Sequence, residues 1–244
     1  MSSDLALALR LADAADAISL PRFGSGLAVE TKPDLTPVTE ADRAVEAELR
    51  RILAAERPGD AILGEEEGAA GSGPRRWVVD PIDGTRNYAR GIPVWATLVA
   101  LEVDGEPTVG VVSAPALRRR WWAEQGAGAF ADGRPIRVSA VASVEEAVLS
   151  FAVEQTIPEL ARRAWHPRGL GDFWAHMLVA EGAVDGAIDA VGVSEWDLAA
   201  VRVVVEEAGG RFSDFAGEPY IDSGTAITSN GLLHDALLAA VAAP

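Results

Sequence analysis

Two carboxylates three positions apart, Asp80 and Asp83, close a short apolar run and are followed directly by Gly84 and Thr85 in the stretch W-V-V-D-P-I-D-G-T from Trp77 to Thr85. Hard divalent cations take oxygen ligands. Mg²⁺ in particular binds through one or two carboxylates and shares its other positions with water and phosphate oxygens. Gly84-Thr85 could open a helix whose first N–H groups have no intrahelical partner and so can receive an anion. The combination reads as a metal and phosphate site. A plainer reading stays open at this point: Asp-Pro and Asp-Gly are common turn dipeptides, and Asp83 could be only a helix N-cap.

The element that must carry these groups is a strand. Trp77, Val78 and Val79 suit a buried strand, and Pro81, which has no N–H for a ladder, predicts that it stops there with Asp80 at its tip. The chain does not fit the D-x-D-G-T pattern of phosphatases that form an aspartyl-phosphate, because Pro81 stands where the first Asp would be. A covalent aspartyl nucleophile is not expected.

Four other acids lie where elements begin or end. Ala61-Ile62-Leu63 is a strand candidate, and Gly64 leads from it into Glu65-Glu66-Glu67. This run is either a solvated loop or, through Glu65, a third carboxylate brought to the same sheet edge. Thr39-Glu40-Ala41-Asp42 opens a helix in the manner of a capping box, and Asp42 reads first as an acid favoured by the helix dipole. Asp197, in Ser194-Glu195-Trp196-Asp197-Leu198, either caps the helix that follows or points a carboxylate into the site. Asp172 begins another predicted helix.

Composition narrows the classes. At 244 residues and 49% hydrophobic, the chain has ample material for a core, as one large domain or two intimate halves. A formal charge of −16 repels nucleic acid and anionic membrane, so a small substrate is expected rather than a polymer. With no cysteine, thiolate nucleophiles, disulfides and Cys-ligated metals are excluded, and any metal is oxygen-bound. No apolar run reaches bilayer length and the N-terminus lacks a basic flank, which predicts a cytoplasmic protein without a signal peptide. His166, His176 and His234 show no metal-ligand spacing, and there is no P-loop or nucleophile elbow.

In chain order, the spacing of Leu5, Ala8, Leu9, Ala12 and Ala15 predicts a helix over 4–20, ended by Pro21. Residues 24–37 read as a loop or hairpin containing Lys32, Asp34 and Thr36. A helix runs from Thr39 to about Ala55, burying Val45, Leu49, Ile52 and Leu53. Residues 71–76 read as a flexible connection. Strands over 94–103 and 109–113 flank the hairpin turn Asp104-Gly105, and strands at 121–123 and 136–139 extend an antiparallel meander. From about residue 140 the pattern alternates: strands at 147–151, near 187–188, at 211–213 and at 226–229, with helices over 172–181 and 197–208 and from 232. Residues 1–140 therefore read as an α+β half and 141–244 as an α/β half that completes the site, in one compact unit.

Several of these stretches together are similar to one family. Gly64-Glu65-Glu66, W-V-V-D-P-I-D-G-T with Asn87 after it, Trp196-Asp197-Leu198-Ala199-Ala200 and Glu207-Ala208-Gly209-Gly210 resemble the inositol monophosphatase family of metal-dependent, lithium-sensitive phosphatases. Within it the chain most resembles the actinobacterial histidinol-phosphate phosphatase branch, through Lys32–Thr39, Pro93-Val94-Trp95-Ala96, Ser113–Leu117 running into Trp121-Trp122, and Gly171-Asp172-Phe173.

The resemblance implies a layered α-β-α-β-α sandwich of the inositol monophosphatase and fructose-1,6-bisphosphatase type, commonly a homodimer. It implies Mg²⁺, two or three ions with Mn²⁺ as a substitute, held by Glu65, Asp80 and the Ile82 carbonyl, and by Asp80, Asp83 and Asp197. Asp42 would support the outer metal and its waters. Glu65 and Thr85 would position the attacking water, and Asp83, Gly84 and Thr85 would lie against the phosphate. The implied substrate is a small phosphate ester, L-histidinol phosphate first, with inositol 1-phosphate or a nucleotide 3′-phosphate as alternatives and a non-catalytic metal or phosphate binder as the other class. Asp172 would pair with the ammonium of histidinol or cap its helix. Family members often carry a Glu seven positions before the Asp that matches Asp197. This chain has Ala190 there, beside Asp189, and its segment 154–170 is shorter than expected.

Overall fold

A computed structural model describes residues 1–25, 29–31, 37–152, 158–189 and 192–242. The chain opens with helix α1 (Ser3–Arg22), in which Pro21 occupies the last turn. The helix thus runs two residues past its predicted end, because near a C-terminus Pro removes a single intrahelical bond and does not force a stop at the preceding residue. A hairpin of β1 (Val29–Thr31) and β2 (Pro37–Thr39) follows, then α2 (Glu40–Glu56) with the expected capping box. Residues 32–36, with Lys32, Asp34 and Thr36, lie outside the described residues.

Next come β3 (Ala61–Gly64), β4 (Gly68–Ala70), β5 (Arg75–Asp83) and the short α3 (Thr85–Arg90). β4 falls across the acidic turn, where composition gave no strand signal. β5 does not stop at Pro81. Its pairing with the next strand shifts register between Asp80 and Asp83, and Pro81 sits inside that irregularity, where a missing N–H costs no ladder bond.

β6 (Ala96–Val103) and β7 (Glu106–Ala114) meet at Asp104-Gly105, both at positive φ as a type I′ turn requires. β8 (Arg119–Glu124), β9 (Ala129–Ala131) and β10 (Arg134–Pro135) complete the meander. Residues 136–139, predicted as a strand, are not one: pairing ends at Pro135, and the backbone of Val138 bonds instead to Ala208.

The second half contains β11 (Val148–Phe151), α4 (Pro158–Arg163), β12 (His166–Arg168), α5 (Asp172–Ala180), β13 (Gly186–Asp189), α6 (Glu195–Glu207), β14 (Arg211–Ser213), β15 (Ala226–Ser229) and α7 (His234–Val241). α4 and β12 fall within the segment where sequence gave no element.

The strands form an eight-stranded sheet, order β10-β9-β8-β7-β6-β5-β3-β4, and a five-stranded sheet, order β12-β11-β13-β15-β14. Alternation along β5 explains the layering. Trp77 and Val79 face α1 and α2, where they pack with Leu7, Leu11, Leu49 and Leu53, while Val78 faces the opposite way toward Phe173, Leu198 and Val201. Helices α5 and α6 are thus buried on one sheet and, through Phe212 and Ala226, reach the other. Leu160 and Leu237 cover the outer face of the second sheet. The result is the expected α-β-α-β-α sandwich. Each fully buried side chain of this kind contributes roughly 1.5–3 kcal/mol.

One close approach fixes α6 against the first sheet. A Cβ on Gly110 of β7 would lie 2.5 Å from the backbone oxygen of Ala200, so only glycine allows the helix so near the strand. Among the described residues no helix is long and apolar enough to cross a membrane.

Candidate active site

The register shift in β5 builds the centre of the site. Asp80 lies on the regular part of the strand, and its Oδ1 accepts the N–H of Ile82 at 2.9 Å, closing a tight turn around Pro81. The freed Pro81 carbonyl accepts the Thr97 hydroxyl at 2.8 Å. Pairing resumes at Asp83, opposite Ala96, so two carboxylates emerge at the same sheet edge. The N-cap of α3 is then Gly84, at φ +81, and not Asp83. At that φ a side chain is strained, and a Cβ at Gly84 would also crowd the Val94 carbonyl at 3.0 Å and Asp172 Oδ2 at 3.2 Å, so both backbone and space favour glycine.

Asp197 joins them from α6. Oxygen atoms of Asp80, Asp83 and Asp197 all lie within 4.8 Å of one another. The two readings of Asp197 are both met: its Oδ2 accepts the Ser194 N–H at 2.6 Å as half of a capping box, and the same carboxylate lies in the cluster.

Asp42 is doubly used in the same way. Its Oδ2 accepts the Thr39 N–H at 2.8 Å and the Thr39 hydroxyl at 2.5 Å, capping α2, while Oδ1 lies 3.2 Å from the Thr85 hydroxyl. That hydroxyl also lies 3.0 Å from the Ile82 carbonyl. Asp42 is fully buried.

Glu65 lies outside the mutual triad, on the turn between β3 and β4. Of the neighbouring charges, its own raises the Asp80 carboxyl most. The turn is held from beneath by Glu46, a fully buried residue of α2 that sequence gave no reason to single out. Its carboxylate accepts the N–H groups of Glu66 and Glu67 at 2.7 and 3.0 Å, and pairs with Arg50 at 2.8 Å. A Cβ on Gly64 would strike Glu46 Oε1 at 2.2 Å.

Asp172 adopts φ +54, unusual for a non-glycine residue though tolerated best by Asp and Asn. Its Oδ2 accepts the amide of Asn87 at 3.1 Å, and Asn87 also donates to the Val94 carbonyl at 2.8 Å. Asn87 thus ties α3 to the start of α5. The side chain of Asp172 is directed to the first half of the chain, and the N-cap of α5 is Gly171. Ala190 lies outside the described residues, whereas Asp189 is buried and bonded to His176 Nε2 at 2.8 Å. The other ring nitrogen of His176 bonds Thr228, so this histidine is packed and partnered, away from any ligand spacing.

Burial leaves the acids crowded with negative charge. Desolvation, followed by the charge of Glu65 and then of Asp83 and Asp197, pushes Asp80 well above the carboxylate range. Asp83 is pushed likewise by desolvation, Asp172 and Asp197. Desolvation raises Asp197 to about 6 against the lowering effects of the Ser194 N–H and a hydrogen bond with Asp80. Desolvation also raises Asp42 and Asp172. Among the described residues no Lys or Arg forms an ion pair with Asp80, Asp83 or Asp197. An all-oxygen donor set, buried at Asp80 and Asp83 and half-buried at Asp197, with no ion-paired cation among the described residues, fits a hard divalent ion such as Mg²⁺.

A clustered-carboxylate centre beside the opening of a short helix, on a five-layer sandwich, defines a metal-dependent phosphatase site. The comparisons agree with that class. The chain matches the inositol monophosphatase family over residues 1–243. It is 53% identical over 251 residues to a histidinol-phosphatase of Mycobacterium tuberculosis, covering 96% of each chain. It is 49% identical over 254 residues to a histidinol-phosphatase of Streptomyces coelicolor, covering 96% of this chain and 95% of that one. Among solved structures, a Thermotoga maritima IMPase superposes with a TM-score of 0.91 at 34% identity, covering 98% of this chain and 97% of the other. The chain belongs to the inositol monophosphatase family.

Proposed function

We propose that the protein hydrolyses L-histidinol phosphate to L-histidinol and phosphate, as a step in histidine biosynthesis. The observation that carries the reading is the Asp80–Asp83–Asp197 cluster, on a chain whose relatives at 53% and 49% identity are histidinol-phosphatases. Glu65, Asp80, the Ile82 carbonyl, Asp83 and Asp197 would hold two or three Mg²⁺ ions, with Mn²⁺ as a substitute. The chemistry a divalent cation supplies here is a more acidic water and neutralisation of charge on the leaving oxygen.

The chain's own groups do the rest. Asp42, when ionised, accepts a hydrogen bond from the Thr85 hydroxyl and so turns the Thr85 oxygen lone pairs toward the attacking water, whose proton would pass to the Glu65 carboxylate as the new P–O bond forms. Glu65 holds that water from the opposite turn for in-line attack on phosphorus. The amides of Gly84 and Thr85, with no intrahelical acceptor of their own, orient the phosphate oxygens as charge builds. Attack by water breaks the P–O ester bond and releases the alcohol, so no phosphoenzyme forms. Asp172 would pair with the substrate ammonium, a group that an inositol ester lacks.

The two halves, 1–140 and 141–244, would act as one unit, because Asp197 and Asp172 come from the second and all the other groups from the first. The enzyme would be a cytoplasmic homodimer acting on a small phosphate ester, without nucleic acid or membrane partners. Glu65→Gln tests the water-positioning step. Phosphate release from L-histidinol phosphate should collapse by roughly 10²–10⁴-fold with circular dichroism unchanged; retained hydrolysis would sink the mechanism.

A further inference from the structure

Arg76 sits on β5 four residues before Asp80, and its guanidinium spans two elements. Nε donates to Glu102 Oε2 at 2.6 Å; Glu102 is its direct antiparallel partner on β6 and is 2% exposed. Nη2 donates to Glu195 Oε2 at 2.5 Å. Glu195 is the first residue of α6, two before Asp197. One planar cation therefore joins the strand that bears Asp80 and Asp83 to the helix end that bears Asp197.

Leu198 packs toward Val78 of β5, and Asp197 shares a hydrogen bond with Asp80 that needs a proton on one of the two, so neither contact sets this helix end with an opposite charge. The Ser194–Asp197 capping box fixes Asp197 within its own helix and leaves open where that helix end sits. The Gly110–Ala200 approach and the Arg202–Glu106 ion pair hold later turns of α6 against β7. Among the described residues, Arg76–Glu195 is the ion pair that links β5 to the first turn of α6. Where Asp80, Asp83 and Asp197 are ionised with no cation between them, their like charges push that turn outward. Glu102 is a costly anchor: it is buried, and its Oε1 has no hydrogen-bond partner. A buried pair of this kind adds little to stability compared with apolar packing, so its use lies in fixing geometry.

We propose that Arg76 is a positioning residue that holds Glu195, and through it Asp197, in register with Asp80 and Asp83, so that divalent-cation affinity depends on it. This rests on reading the three aspartates as the cation site. Lys at this position would offer a point charge in place of a two-armed fork and would restore the function only in part.

The test is calorimetric titration of Mg²⁺ into metal-stripped protein without substrate, for the wild type, Arg76→Ala, Arg76→Lys and Arg202→Ala. The expected result is a Mg²⁺ Kd raised about 10–100-fold in Arg76→Ala, the range for lost support of a metal ligand. Arg76→Lys should fall between, and Arg202→Ala should match the wild type. If Arg76→Ala does not fold, the apolar replacement Arg76→Met with Glu102→Leu removes the same clamp without stranding a buried charge, and the same rise is expected. Wild-type Mg²⁺ affinity in a folded protein lacking the clamp overturns the proposal alone. An equal loss in Arg202→Ala also overturns it, by showing a general loosening of α6. A wild-type protein that binds no Mg²⁺ overturns the cation-site reading and this proposal with it.

Discussion

The carboxylate of Asp83 accepts the backbone N–H of Phe173 at 2.6 Å, so the strand that presents two of the clustered acids is hydrogen-bonded to the first turn of α5. The residue before that N–H is Asp172, held at φ +54 with its own carboxylate on Asn87. The clustered acids and Asp172 are thus parts of one bonded unit. Asp172→Asn keeps the shape and tolerates the left-handed backbone, but removes the charge. The expected outcome is a KM for L-histidinol phosphate raised about tenfold or more, a loss of about 1.4 kcal/mol, with turnover of an amine-free ester such as glycerol 2-phosphate unchanged. Equal losses on both esters would show that Asp172 serves structure and not the ammonium.

Thr85 has one hydroxyl proton and two acceptors within reach, Asp42 Oδ1 and the Ile82 carbonyl. Thr85→Ala should lower kcat by roughly 10²–10⁴-fold, while calorimetry shows Mg²⁺ binding intact; Thr85→Ser should recover most of the rate. Loss of Mg²⁺ binding in the alanine variant would move Thr85 from proton handling to metal support.

The acids predict an unusual pH dependence. Asp197 is raised to about 6 by burial, and burial also pushes Asp80 and Asp83 well above the usual carboxylate range. In the metal-free protein these groups bind more protons folded than unfolded, so their contribution to stability is fullest below pH 4 and is lost as pH rises through 6 and beyond. His234 acts in the opposite sense. Buried between Ser213 and Ser229, it is lowered by desolvation to about 4, and its contribution is lost as pH falls from 6.5 to 4. Mg²⁺ bound at the acids would displace their protons and leave His234 untouched. The gap between Tm with Mg²⁺ and Tm with EDTA should therefore widen from pH 5 to pH 8. A gap that does not vary with pH would contradict titration at the cluster.

Gly110→Ala would place a methyl 2.5 Å from the Ala200 carbonyl, a backbone atom that cannot swing aside. Overpacking of this sort costs about 1–3 kcal/mol, which thermal unfolding should register as a drop of several degrees. An unchanged Tm would mean that α6 shifts freely over β7.

What was legible in the sequence follows physical range. Asp80, Asp83, Gly84 and Thr85 are near one another in the chain, so their local chemistry could be read from types and spacing. The helix caps at Asp42 and Asp197 were legible as caps. Their second partners lie across the fold: the Thr85 contact of Asp42 had no signal in the sequence, and the place of Asp197 in the aspartate cluster was one of two open readings until the family resemblance favoured it. Pro81 misled because a bulge, set by pairing with β6, can absorb a residue that a regular ladder cannot. β4 and β12 are three-residue strands with weak intrinsic preference that exist because a neighbouring strand offers hydrogen bonds. Glu46 and Arg76 gave no signal, since each acts through a backbone or carboxylate far away in sequence.

The most direct measurement is phosphate release from L-histidinol phosphate and myo-inositol 1-phosphate side by side, with Mg²⁺, with EDTA and with added Li⁺. The expected result is a strong preference for histidinol phosphate in kcat/KM, abolished by EDTA and inhibited by Li⁺. Preference for the inositol ester would contradict the substrate assignment, and hydrolysis that survives EDTA would contradict the metal-dependent mechanism itself.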